Sequence, residues 1–262
     1  MGAEVGILVK PSSFRAAVEA VEKIRRLRPQ ALLLNLPDTI SDLILQLALG
    51  MDFQEFIGEV ERKLPRPASA WLKEYEPILK ELPSLGGALD VICYADPTTF
   101  KESAEKSIEL AILTAKSMVT GKIEVDRWLR IIKDSIAYSR AAVEKEAEKI
   151  ADLSKSYERS LCLSDFTAKR IKKKLEEQGV DFWIRYLGQP YHFTPLEILK
   201  RIMAKREITR QEAEALIKEH IRFIQEYVYR KPFPQAVDEW SRRKLYWIPR
   251  ERIEADKSWK EH

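Results

Sequence analysis

His192 stands between an apolar run, Phe182, Ile184, Tyr186 and Leu187, and a helix start written Thr194-Pro195-Leu196-Glu197. An imidazole titrates near neutral pH, so at a strand-to-helix junction it has the chemistry of a metal ligand or a general acid/base. Helix N-termini present free N–H groups, and open α/β folds bind ligands beyond the carboxyl ends of their strands. Residues at comparable junctions therefore become candidates for one pocket: Lys10 after Val5–Val9, Asn35 within Ala31–Leu36, Asp96 after Ala88–Tyr94, and Gly188 and Tyr191 beside His192. Three of them also have a purely structural reading. His192 can pack between Tyr191 and Phe193, Asp96 before Pro97 is a helix cap, and Asn35 before Pro37 forms a turn.

Other chemistry is thinly written. His220 falls in an apolar-periodic helix and His262 is the last residue, so no metal site is expected, and no cofactor is required. Gly6 is isolated, with no GxGxxG, Walker or nucleophile-elbow pattern around it. The segment holding Arg242, Arg243, Lys244 and Trp247 mixes cations with an aromatic, as single-strand nucleic-acid binders do, but a docked terminal helix has the same composition. The run Lys169-Arg170, Lys172-Lys173-Lys174 surrounds the apolar stripe Ala168, Ile171, Leu175 and reads as a solvated helix face.

These residues need a scaffold, and its elements follow from periodicity. Val5–Val9, a helix through Phe14, Ala17, Val21, Ile24 and Leu27, and Ala31–Leu36 form a β-α-β unit. Ala31–Leu36 offers no polar alternation, as in a strand covered on both faces. Short helical pieces follow over 38–82, punctuated by Pro65, Pro67, Pro77 and Pro83, before the strand Ala88–Tyr94. Helices over Thr99–Val119 and Glu124–Ser154 make a long hairpin around Thr120-Gly121-Lys122. Leu161-Cys162-Leu163 reads either as a short strand or as the approach to the helix Phe166–Gln178. The remainder is helical: Pro195–Lys205, Arg210–Tyr229 behind Thr209 and Glu212, and a last helix through Trp240.

The expected fold is α/β, a three-layer, Rossmann-like, parallel-rich central sheet flanked by helices, with a large helical addition. The expected division is 1–196, an α/β core carrying the hairpin at about 98–156, and 197–262, a helical extension packed on it. Hydrophobic residues make up 45% of the 262, enough for a sizeable core, and charged residues 33% with Asn35 the single asparagine, a heat-adapted pattern. Two cysteines far apart in sequence, no apolar run of membrane length and no signal-peptide order at the start point to a cytoplasmic protein. The net charge of +4 is too small for a dedicated nucleic-acid binder. The hairpin's apolar stripe suggests a protein partner or a homodimer.

Val5-Gly6-Ile7-Leu8-Val9, Arg28-Pro29-Gln30-Ala31-Leu32-Leu33-Leu34-Asn35-Leu36, Glu158-Arg159 and Tyr186-Leu187-Gly188-Gln189-Pro190-Tyr191-His192 occur in the order of motifs in the TraB/erythromycin-esterase/ChaN-like superfamily, which the chain resembles. The resemblance implies an α/β fold and a metal-dependent or acid/base site. Val9 stands where the first histidine would be, Asn35 where the acid would be, and His192 is one residue further from its glycine. It therefore implies a degenerate, non-catalytic relative, with a hydrolase using His192 as the alternative.

Overall fold

A computed structural model describes residues 3–64, 71–85 and 89–247. Pro65, Pro67, Gly86-Gly87 and the tail over 253–262 lie outside the described residues. The chain begins β1 (Glu4–Val9), α1 (Phe14–Leu27), β2 (Ala31–Pro37), α2 (Ser41–Ala48), α3 (Phe53–Lys63), α4 (Glu76–Glu81) and β3 (Asp90–Ala95). The hairpin α5 (Pro97–Thr120) and α6 (Val125–Ser154) follows, then β4 (Arg159–Ser164), α7 (Ala168–Glu177) and β5 (Asp181–Tyr186). α8 (Pro195–Met203), α9 (Arg210–Phe223) and α10 (Phe233–Lys244) complete it.

All five strands pair in parallel in the order β3-β2-β4-β1-β5. The ambiguous Leu161–Leu163 segment is thus the central strand: Cys162 lies opposite Ile7 on one side and Leu33 on the other. Side chains alternate between faces with the period of two that a strand imposes. Leu8, Leu32, Leu34, Leu161 and Leu163 join α1–α4 in one apolar core, whereas Val5, Ile7, Val9, Leu33 and Cys162 join α6 and α7 in another. Connections travelling toward β3 occupy the first face and those returning toward β5 the second, as crossovers of one hand require.

This alternation sends neighbouring strands to opposite faces. β1 and β2 exit toward the α1–α4 layer while β4, between them, exits toward α7. Their carboxyl ends diverge, which opens a crevice at the switch point.

The hairpin has its partners within the chain. Val143, Ala147 and Ile150 of α6 are buried along the sheet side, while Val125, Trp128, Ile131 and Ile132 pack with Leu110 and Leu113 of α5 against Leu199, Ala213 and Ile217 of α8 and α9. The apolar stripe that suggests a homodimer is covered within the chain, by the C-terminal helices over Val125 to Ile132 and by the sheet side over Ala147 to Ile150, and lends that expectation no support. Capping boxes at Thr194/Glu197 and Thr209/Glu212 start α8 and α9 as their sequences require.

His220 of α9 is buried against Trp128, with ring centroids 5.6 Å apart, and its Nδ1 and the Trp128 Nε1 lack partners among the described residues. Burial pushes the imidazole down to about 4, helped by nearby Lys200. A depressed folded-state pKa gives stability that is present above the unfolded value of 6.5 and lost as pH falls toward 4. His220→Phe should remove up to about 3 kcal/mol of that loss, by linkage at about 1.4 kcal/mol per pKa unit. Chemical denaturation of both proteins at pH 7 and pH 4.5 measures it, and identical slopes would contradict the assignment.

Candidate functional site

The crevice holds a cavity of about 380 Å³. Residues following four strands reach it: Lys10 and Ser12 after β1, Asn35 near the end of β2, Asp96 after β3 and Asp165 after β4. Trp71, Glu74 and Tyr75 wall it on the side of the first core. Ser103, Ser107, Ser139 and Glu146 wall it from the hairpin, and Glu197 at the start of α8 closes one corner.

Lys10 is the most constrained of these. Its backbone N–H extends the sheet by donating to the Ser164 carbonyl at 2.7 Å, which drives the side chain into the crevice. The residue is only 5% exposed. Its Nζ lies 3.2 Å from the Glu74 carbonyl, 3.5 Å from the Pro11 carbonyl and 4.5 Å above the Tyr75 ring. No carboxylate oxygen comes within 4.0 Å of it among the described residues. Burial lowers the amine's pKa, and the charges of Glu74 and Asp165 offset part of that.

The carboxylates differ according to their hydrogen bonds. Asp96 accepts from the Thr99 N–H at 2.8 Å as the cap of α5, and that bond holds its pKa below the ordinary value. Glu146 is raised mainly by burial, with the negative charges of Asp165 and Asp96 adding to the effect, and it accepts the Asp96 N–H at 3.3 Å. Glu74 is raised by burial against the opposing pull of Lys10 and of Ser12, whose hydroxyl donates to Oε2 at 2.8 Å. Asp165 accepts from the Thr167 N–H at 2.7 Å and is otherwise exposed. Glu197 accepts from the Thr194 N–H and from the Tyr191 hydroxyl.

Lys10, Asn35 and Asp96 therefore share the cavity. Asn35 contributes a carbonyl: β2 loses register between Leu34 and Pro37, and the freed Asn35 oxygen accepts the Tyr75 hydroxyl at 3.3 Å.

His192, Gly188 and Tyr191 do not line the cavity among the described residues. β5 is the edge strand beyond β1, away from the crevice, and its exit loop is drawn toward α1 and α10. Arg15 of α1 donates to the Gly188 and Pro190 carbonyls at 2.7 and 2.6 Å. Gly188, at φ +64°, lies so close to α1 that a Cβ would meet the Ala16 Cβ at 2.8 Å, so its role is close packing. The His192 N–H donates to the Ser241 hydroxyl at 3.1 Å, and its ring packs on Trp240 of α10. Tyr191 stands one residue behind the wall, through Glu197.

Two of the four nucleic-acid candidates are engaged within the chain. Arg243 donates to the Tyr227 hydroxyl at 2.9 Å and approaches Glu226, while Lys244 pairs with Glu219. Arg242 and Trp247 are exposed. Among the described residues no group of three or more His, Cys, Asp or Glu side chains is arranged to hold a metal ion.

Sequence reasoning missed Glu74, Tyr75, Glu146 and Asp165. Asp165 directly follows the strand Arg159–Ser164, a signal that the ambiguous Leu161–Leu163 segment leaves illegible in the sequence. Nothing local marks Glu74 or Glu146, which reach the cavity through tertiary packing.

The N-terminus of α1, where a doubly wound fold holds an anionic group, is occupied by the chain itself. Asp238 of α10 accepts from the Ser13 hydroxyl at 2.6 Å and the Arg15 N–H at 3.0 Å. No known protein-family model, curated protein or solved structure matches the chain. Asp238→Ala should cost about 1–2 kcal/mol, since it unpairs two donors and removes a charge favourable to the helix dipole. Urea denaturation at pH 7 reads this directly; an unchanged midpoint would show that Asp238 does not anchor α10 to α1.

Proposed function

We propose that this protein binds a small amine-bearing solute in the cavity at the carboxyl edge of its sheet, without a complete catalytic set of its own. The observation carrying this reading is the charge of the lining: among the described residues, it includes Glu74, Asp96, Glu146, Asp165 and Glu197 but a single amine, Lys10. Carboxylates in a low-dielectric crevice focus a negative potential that attracts cations and repels phosphates and carboxylic acids. The aromatic side chains of Trp71, Tyr75, Phe100 and Phe166 add faces against which an ammonium group is stabilised.

The resemblance to the TraB/erythromycin-esterase/ChaN-like superfamily accords with this reading, because Val9 and Asn35 replace the residues its chemistry would use. A hydrolase built on His192 is less well supported, since that side chain is not among the cavity's lining residues. The buried free thiols of Cys93 and Cys162 accord with a reducing cytoplasmic setting, and the many exposed ion pairs with a heat-adapted source.

Isothermal calorimetry with putrescine, spermidine and inorganic phosphate tests the proposal. The polyamines should bind, more weakly as salt rises, and the affinity should increase with pH as the raised carboxyls of Glu74 and Glu146 lose their protons. Glu146→Gln should weaken binding about tenfold, the equivalent of about 1.4 kcal/mol. Tighter binding of phosphate than of either amine would overturn the reading.

A further inference from the structure

We propose that Lys10 is a nucleophilic amine that condenses with a small, uncharged or cationic carbonyl compound held in the same cavity. The proposal rests on the cavity being a binding site, and adds to it a covalent step.

Buried lysines normally carry their charge to water or to a carboxylate, because an unpaired ammonium in an apolar setting is costly. Lys10 does neither. It is 5% exposed, and the acceptors its Nζ meets are two backbone carbonyls, those of Glu74 and Pro11. A neutral amine has two N–H groups for those two acceptors and keeps its lone pair. The third proton of an ammonium would meet no oxygen acceptor among the described residues, only the face of the Tyr75 ring 4.5 Å from Nζ. The count of oxygen acceptors and desolvation favour the nucleophilic form, against the Tyr75 ring and the charges of Glu74 and Asp165, which favour the ammonium. Pro11, Glu74 and Tyr75, which surround the nitrogen, all line the cavity, so a ligand there has the amine in its wall.

The step balances without an external oxidant or reductant. The Nζ lone pair forms a bond to the carbonyl carbon, and the carbonyl oxygen takes up a proton to give a carbinolamine. Glu74, whose protonated form burial favours, is the nearby donor. Loss of a proton from nitrogen and of the hydroxyl as water then gives the imine, so one carbonyl and one amine yield one C=N bond and one water. The surrounding carboxylates set the carbonyl class: a 2-oxo acid would bring a second anion into an already negative crevice, whereas an aldose or an amino-aldehyde would not.

The full chain incubated with glyceraldehyde and sodium cyanoborohydride, followed by intact-mass measurement and peptide mapping, tests this. The reductant fixes each imine as a secondary amine. Lys10 should be modified about tenfold faster than the surface lysines, as expected of a desolvated amine beside a bound carbonyl. Glyoxylate should label surface lysines without that preference. Lys10→Met, a swap that removes a costly buried amine and keeps the side chain's length, should fold and lose the fast adduct alone. Labelling of Lys10 no faster than surface lysines would overturn the proposal. Should the polyamines still bind in that case, the fault lies with Lys10 as nucleophile; should neither amine nor aldehyde engage the cavity, the binding reading falls with it.

Discussion

β4 lies between β1 and β2, and the site depends on that placement. A strand paired in parallel on both sides and covered on both faces has to be apolar throughout its middle, and Leu161, Cys162 and Leu163 are all buried. Because β4 exits to one face while both neighbours exit to the other, the sheet parts at its carboxyl edge. The cavity opens at that parting, where Lys10 and Asp165 follow neighbouring strands.

The crevice would remain an open notch without the helical additions. The hairpin leaves β3 and returns to β4, so its near halves flank the crevice while its far half is held by α8 and α9. Most of the ion pairs decorating these helices are solvent-exposed and each contributes little at ambient temperature. Burial of Trp128, Ile132 and Ile217 does more, at roughly 25 cal/mol per Å² of apolar surface removed from water. α10 fastens this layer back to the core through Asp238 at α1 and through Ser241 and Trp240 at the His192 loop. The polar junction residues of β5 thus fasten helices, while those of β1 to β4 form the cavity.

Much of the fold is legible in the sequence because it is locally encoded. The 3.6-residue spacing of Phe14 to Leu27 and the caps at Asp96, Thr194 and Thr209 each specify an element through neighbours in sequence, and the structure contains each one. Strand order is not local. Three apolar letters at 161–163 carry no mark of centrality, and that ambiguity hid Asp165. Lys10, Asn35 and Asp96 could be anticipated because a β-to-α junction puts polar residues at the carboxyl edge by chain geometry alone. His192 follows the same rule but belongs to β5, and only the sheet order shows that this strand lies beyond β1 on the side away from β4 and the crevice. Glu74 and Glu146 come from helical segments whose polar faces look like any solvated surface until the crevice is assembled.

The central physical claim is that carboxyl groups from distant segments crowd into one water-poor crevice. A side-chain carboxyl titration by NMR measures this most directly, with resonances assigned through Glu74→Gln and Glu146→Gln. Glu74 and Glu146 should titrate above the ordinary glutamate value of 4.5, while Asp96, held by its helix N-terminus, should titrate below 3.8. Ordinary values for Glu74 and Glu146 would mean that the crevice is open to water, and would contradict the account at its root.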